Sequence, residues 1–210
     1  MRVPLLITLG AAVEAAPLVA ALVVRRPQHG ARFWILAWTG VMVGCDILSY
    51  WTAFHGMHNA WISYAATAAG ALVLWGLSYW QAGVTERLTL RVAAFLFLAV
   101  WVVLTVAFDD LSLPSRASAP MGNTVCLLAA AYTLLARSIR SREDLLRQDW
   151  FWVSAGLAFY FGLWSAMDLM RGLLFNRNFA LWPSLDAVGY AANILPWLAI
   201  ARGVTCRTET

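Results

Sequence analysis

The stretch FWVSAGLAFYFGLWSAMDLMRGLL, residues 151–174, carries only two charged side chains, Asp168 and Arg171. A run of about 20 mainly apolar residues can cross the hydrocarbon core of a bilayer as a helix. Six other stretches share this character. The sequence therefore predicts an all-α membrane protein in which residues 1–210 form one domain of seven spans, at residues 3–24, 33–54, 60–81, 89–108, 119–138, 151–174 and 181–201.

The overall composition is that of a membrane protein. Of the 210 residues, 61% are hydrophobic and 12% are charged, whereas soluble domains are about 45–50% apolar and about 25% charged. All 15 basic residues are arginines, and the net charge is +4. Arginines beside a membrane explain this charge, so the lipid bilayer is the expected partner and nucleic acid is not.

The arginines also predict an orientation. Four belong to one side of the membrane, Arg2, Arg116, Arg171 and Arg177, and the other eleven to the opposite side: Arg25, Arg26, Arg32, Arg87, Arg91, Arg137, Arg140, Arg142, Arg147, Arg202 and Arg207. Because cytoplasmic loops are enriched in basic residues, the N-terminus is expected outside and the C-terminus inside, in the plasma (inner) membrane of a bacterium. The first apolar stretch reaches Arg25, which favours a span over a cleaved signal peptide.

Four acidic residues lie within the predicted spans, where a carboxylate is costly unless it is paired, protonated or hydrated. Helical spacing puts further polar or aromatic side chains on the same faces. We therefore expect an outward-open pocket lined by the first, second, sixth and seventh spans. Its candidate ligand-binding residues are Glu14, Asp46, Trp164, Asp168, Arg171, Asp186, Tyr190 and Asn193. No catalytic residue is predicted.

Other roles for these residues stay open. Asp168 and Arg171, at i and i+3, fit an ion pair along one helix as well as a ligand contact. Glu14 and Asp46 fit hydrogen bonds between helices if desolvation keeps them protonated. His55 and His58 are weak metal-ligand candidates in a short loop, where solvated turn residues are commoner. No metal and no cofactor is predicted.

Two pairs of segments suggest an internal repeat. FWILAWTG (33–40) is similar to FWVSAGLA (151–158), and WISYAA (61–66) is similar to WPSLDA (182–187). Parallel three-span repeats joined by the fourth span would explain both, and chance likeness among Trp- and Ala-rich helices is the alternative. This 3+1+3 plan resembles SWEET-type sugar transporters and microbial rhodopsins in layout. The chain has no lysine, which excludes a retinal Schiff base.

A second resemblance concerns the last two spans. DWFWVSAGLAFYFG (149–162) and LWPSLDAVGYAANILPWLAIAR (181–202) resemble the final helices of small seven-helix bacterial membrane modules, which occur alone or ahead of sensor histidine kinases. This implies a sensor or receptor-like protein that binds a small polar or amphiphilic ligand. It would act through a separate cytoplasmic signalling protein, docked by Arg140, Arg142, Leu145 and Leu146.

Two other functions remain as alternatives. A small-solute transporter is favoured by the repeat. A membrane-embedded lipid hydrolase with paired carboxylates as acid and base is less favoured, so an enzyme is not the leading expectation. The oligomeric state is not predicted.

Overall fold

The computed structural model describes residues 5–25, 28–113, 115–141, 144–174 and 182–206, with the side chains of 5–8, 11, 171–174 and 182–186 left undescribed. Throughout these ranges the secondary structure is helical, without strands. Five helices are long and apolar enough to cross a membrane, at Ala31–Phe54, Ala60–Ser78, Val84–Ala107, Ser118–Arg140 and Asp149–Met170. The expected all-α fold, with helices long and apolar enough to cross a membrane, is therefore confirmed. The number of seven spans stays a prediction.

The helices follow the predicted apolar stretches closely. They are α1 (Leu5–Glu14), α2 (Ala16–Val24), α3 (Ala31–Phe54), α4 (Ala60–Ala68), α5 (Gly70–Ser78), α6 (Val84–Ala107), α7 (Ser118–Arg140), α8 (Asp149–Leu174), α9 (Trp182–Ala192) and α10 (Ile194–Thr205). A short 3-10 turn at Leu145–Arg147 precedes α8. The first, third and seventh predicted stretches are each divided into two helices.

Proline explains two of these three interruptions. Pro17 follows the break at Ala15, and Pro196 follows the break at Asn193. A proline inside a helix lacks the N–H donor, and its ring clashes with the carbonyl four residues earlier. The third interruption, at Ala69, has no proline. Gly70 follows it and packs tightly, because a Cβ atom there would lie 3.0 Å from the Cys126 sulfur.

Most of the helices form a ring. Helix α3 packs between the α1–α2 pair and the α4–α5 pair. Helix α7 packs on α5, and α8 packs on α7. The α9–α10 pair packs on α8. The ring closes where α10 meets α2 and α9 meets α1. Helix α6 lies outside the ring against α5 and α7, and many of its apolar side chains are exposed.

Aromatic side chains fill the centre of the ring. Trp38 of α3 stacks on Trp197 of α10, with ring centroids 5.1 Å apart, and both contact Tyr160 of α8. We call the end of the bundle with the 25–30, 79–83 and 141–148 connections the arginine-rich end. The end with the 55–59 and 109–117 connections is the opposite end.

Candidate functional site

A cavity of about 210 Å³ lies among α3, α4–α5, α7 and α8. Ser63 and Ala119, each within the first turn of its helix, help to line it, so it occupies the half of the bundle nearer the opposite end. Its walls are partly polar, with Ser63, Thr67, Asn123 and Asp168, and partly aromatic, with Trp38, Tyr160, Phe161 and Trp164. These helices correspond to the second, third, fifth and sixth predicted spans, whereas the expected pocket is lined by the first, second, sixth and seventh.

Asp168 is held on the cavity wall by a partner on another helix. The Asn123 side-chain amide of α7 donates a 2.9 Å hydrogen bond to Oδ2 of Asp168 on α8. Trp164 lies one turn earlier on α8, and its ring meets the Tyr190 ring of α9 at 6.0 Å. Trp164 is therefore a neighbour of both Asp168 and Tyr190. Asn123 was not identified from the sequence, because a single amide in an apolar span gives no spacing pattern.

Glu14 and Asp46 form a second polar group. Glu14, at the end of α1, is 5% exposed, and its carboxyl group lies close enough to that of Asp46 on α3 for the two to interact. Two adjacent carboxyl groups can form a hydrogen bond only when one of them holds a proton, because an ionised carboxylate can only accept. Tyr160, whose ring lines the cavity, is within electrostatic range of both carboxyl groups and of Asp168. The carboxyl pair thus lies beside the cavity without lining it.

The remaining predicted ligand-binding residues are not on the cavity wall or cannot be placed. Asn193 is buried at the interruption between α9 and α10. Tyr190 packs on α1, where a Cβ atom on Gly10 would lie 3.3 Å from its ring. The side chains of Arg171 and Asp186 lie outside the described residues. The Asp168–Arg171 ion pair and the role of Asp186 consequently stay predictions.

A buried ion pair closes the arginine-rich end. Arg32 of α3 and Asp149 of α8 are 4% and 7% exposed, and Nε of the arginine lies 3.0 Å from Oδ2 of the aspartate. Arg32 also donates to the backbone carbonyls of Val204 (3.4 Å) and Cys206 (2.7 Å) at the end of α10. The sequence analysis used Arg32 only as an orientation marker and left Asp149 just outside the predicted span 151–174.

Other arginines at this end are also engaged. Arg87 and Arg137 donate to the carbonyls of Gln81 and Trp80, respectively, in the connection just after α5. Arg140 forms a two-pronged pair with Glu86 of α6 at 2.7 and 3.0 Å. Arg140, one of the predicted partner-docking residues, is therefore already paired with Glu86 of the same chain. Leu145 packs partly against the core, Leu146 is exposed, and Arg142 lies outside the described residues.

Hydrogen bonds join the loops of the opposite end. The His58 ring bonds to the Ser112 carbonyl, and the Tyr64 hydroxyl donates to the carbonyls of Asp110 and Leu113. The His55 ring bonds instead to the Trp51 carbonyl at 2.8 Å. The two imidazoles thus have different partners. Among the described residues, no three potential ligands lie close enough together to hold a metal ion.

Asp109 organises the start of α7 at the same end. Its carboxylate accepts hydrogen bonds from the backbone N–H groups of Arg116, Ala117 and Ser118, at 2.8–3.0 Å. Partial burial opposes ionisation, but the bonds from the side chain and backbone of Ser118, with those from Arg116 and Ala117, outweigh it. They lower the pKa of Asp109 to about 2.

Comparison of the chain with models of known protein families, with curated protein sequences and with solved structures finds no match. The function must therefore be argued from the chemistry of the site.

Proposed function

We propose that this protein is a membrane-embedded sensor or receptor-like module that binds a small molecule in the cavity among α3, α4, α7 and α8. The Asp168–Asn123 pair on the cavity wall carries the proposal. Polar groups that converge on an aromatic-lined space are typical of ligand sites.

In this proposal the chain has seven spans, and α1–α2 and α9–α10 cross the membrane as interrupted helices. The arginine-rich end faces the cytoplasm, in keeping with the eleven-to-four split of arginines. The ligand enters from the opposite end, because the Arg32–Asp149 pair and the central aromatic rings close the other side.

Helix α8 offers a route for a signal. It carries Asp168 at the cavity and Asp149 in the ion pair. These residues are about 28 Å apart along the helix at about 1.5 Å per residue. The 3-10 turn with the exposed Leu146 comes just before the helix. A ligand that moves α8 would therefore move the segment offered to a cytoplasmic partner.

Cysteine accessibility tests the binding proposal. With Cys45, Cys126 and Cys206 replaced by serine, Ala66→Cys on the cavity wall should react with a small, charged thiol reagent applied to intact cells. Leu96→Cys is the matched control, because Leu96 lies on the exposed apolar face of α6, where lipid excludes water. Equal, low reactivity at both positions would show that water and solutes do not reach the cavity, and would overturn the proposal.

A transporter is the second candidate, favoured by an agreement between α3 and α8. At the offset of 118 residues, five of the six buried positions of α3 correspond to buried positions of α8, and the sixth, Thr52, corresponds to the exposed Met170. The pairs are Ala31 and Asp149, Arg32 and Trp150, Ile35 and Val153, Trp38 and Gly156, and Thr39 and Leu157. The ring order, with α6 outside, also suits two three-span repeats joined by the fourth span.

Access from the second side separates the two candidates. A transporter exposes its site to both sides in turn, so Ala66→Cys should also react in inside-out vesicles. A sensor keeps the cytoplasmic side closed, and the same residue should then react only in intact cells. Leu96→Cys again serves as the control for lipid-facing positions.

A further inference from the structure

Arg91 lies inside the apolar part of α6 and has no acidic partner in the part of the chain that the structure describes. It comes seven residues after Val84, the first residue of α6, which is about 10 Å along the helix from the arginine-rich end. Its side chain is half-buried. The ion pairs formed by the described residues involve other arginines. Because a guanidinium group stays charged, the described residues leave this positive charge without a counter-charge.

The end of α5 holds the guanidinium group of Arg91 in place. Its central carbon lies 5.1 Å from the centroid of the Trp75 ring and 5.2 Å from that of the Tyr79 ring. Nε donates a 3.3 Å hydrogen bond to the Ser78 hydroxyl, and the N–H groups of the two terminal nitrogens have no hydrogen-bond partner among the described residues. A guanidinium group points its N–H groups outward in its own plane, where a phosphate can accept two of them in parallel.

Arg87 adds a second positive charge one turn nearer to the arginine-rich end. Residues four apart on a helix are neighbours, and two like charges at this spacing repel each other. The side chain of Arg87 is exposed and donates to the Gln81 carbonyl, which is neutral. Glu86, the next residue along the chain, is engaged by Arg140 through both of its oxygens. An anion that binds Arg87 and Arg91 together would therefore relieve their repulsion.

Apolar side chains flank the two arginines on the outer face of α6. Leu88, Val92 and Phe95 are exposed, and the Phe95 ring meets the Trp75 ring at 5.7 Å. Helix α6 is long and apolar enough to cross a membrane, so in a bilayer this face meets lipid. The anions that a membrane offers next to its hydrocarbon core are the phosphates of its lipids, and basic pockets between helices bind such headgroups.

We infer that Arg91 and Arg87 bind the phosphate of an anionic phospholipid, whose acyl chains lie along the outer face of α6 beside Phe95. The charge of the two arginines selects a lipid with a net negative charge over a zwitterionic one. Neither arginine lines the cavity of the proposed function, so the lipid site is separate from it. The inference holds whichever side of the membrane the arginine-rich end faces.

Native mass spectrometry of the full chain in detergent, titrated with lipid, tests the inference. Phosphatidylglycerol should bind at least about tenfold more tightly than phosphatidylcholine with the same acyl chains, because two arginines attract its net charge. Arg91→Gln should remove this preference. Arg91→Lys should keep only part of it, because an ammonium group cannot bind a phosphate through two parallel hydrogen bonds. Arg147→Gln is the matched control and should preserve the preference, since Arg147 is an exposed arginine at the same end.

Photocrosslinking places the lipid even if Arg91→Gln fails to fold, because both arginines are kept. A benzoylphenylalanine in place of Leu88, three residues from Arg91 on the same face of α6, should capture phosphatidylglycerol in preference to phosphatidylcholine. The same group in place of Val103, an exposed residue farther along α6, should capture the two lipids equally.

Three results would overturn the inference. They are equal affinity for the two lipids, a preference that survives Arg91→Gln, and equal capture of the two lipids at Leu88. Soluble glycerol 3-phosphate is the last probe. If it displaces phosphatidylglycerol at equal concentration, the arginines bind a free phosphate and the lipid site is also refuted. None of these results alters the reaction of Ala66→Cys with thiol reagents, so the proposed function of the cavity is judged separately.

Discussion

Arg32 and Asp149 form a buried ion pair across 117 positions of the chain. The arginine side chain continues to the last carbonyls of α10, so a single residue connects α3, α8 and α10. Its guanidinium group suits this task, because it offers five donors in a fixed plane and stays charged. This contact ties the three helices together at the arginine-rich end.

We expect Arg32→Gln or Asp149→Asn alone to destabilise the protein by about 3–5 kcal/mol, because either change leaves a buried charge unpaired. The double variant should lose much less than the sum of the two. Thermal unfolding in detergent, analysed as a double-mutant cycle, measures the coupling. The control is the exposed pair of Arg147 and Asp144, which are 3.5 Å apart. Its double-mutant cycle should show little coupling free energy. Additive losses for Arg32 and Asp149 would contradict the prediction.

The pair Glu14 and Asp46 should tolerate a neutral hydrogen-bond donor. Glu14→Gln keeps a group able to donate to Asp46, so its unfolding temperature should stay close to that of the unmodified chain. Glu14→Ala leaves Asp46 without that donor and should cost about 1–3 kcal/mol. Thermal unfolding of both variants checks this. If glutamine proves as harmful as alanine, a hydrogen bond between these two side chains is not what joins α1 to α3.

Asp109 should make the stability of the protein depend on acid pH. Its pKa is lowered from 3.8 to about 2, so its contribution is complete above 3.8 and is lost as the pH falls through about 2. Asp109→Asn should cost about 1 kcal/mol at pH 7, since solvent screens a partly exposed carboxylate. Unfolding followed from pH 7 down to pH 2 should show the two proteins converging. A difference that stays constant across this range would refute the assignment.

The orientation can be tested at three loop positions. Met57→Cys and Ser115→Cys, at the opposite end, should react with a membrane-impermeant thiol reagent on intact cells. Ser141→Cys, at the arginine-rich end, should react only after the membrane is permeabilised. The reverse pattern would contradict the proposed orientation and would show that the cavity faces the cytoplasm.

Hydropathy was enough to locate the helices, because about 20 apolar residues are needed wherever a helix crosses a bilayer. The second predicted span, 33–54, corresponds to α3 at Ala31–Phe54, and the fifth, 119–138, to α7 at Ser118–Arg140. Pro17 and Pro196 in the sequence also mark two of the helix interruptions, because a proline cannot donate the backbone hydrogen bond of a continuous helix. No proline in the sequence marks the interruption at Ala69, and this interruption was not predicted.

The cavity and the ion pair were harder to predict because both depend on which helices are neighbours. In a membrane, a lipid-facing leucine and a buried leucine have nearly the same hydropathy, so the pattern says little about helix contacts. Asp168 was identified from its cost in an apolar span, whereas its partner Asn123 lies 45 residues earlier. Arg32 and Asp149 were read as flanking charges, since only the folded ring brings them together.

The separation of Arg32 from Asp149 also matters while the chain is being made. Ribosomes add about 5–20 residues per second, so the 117 positions between them take roughly 6–23 s to synthesise. During that time α3 enters the membrane with an arginine whose partners, on α8 and α10, do not yet exist. The headgroup region, where a guanidinium group can stay hydrated, must therefore hold Arg32 until α8 and α10 have both been made, so the arginine-rich end of the bundle can be completed only after α10 is in place.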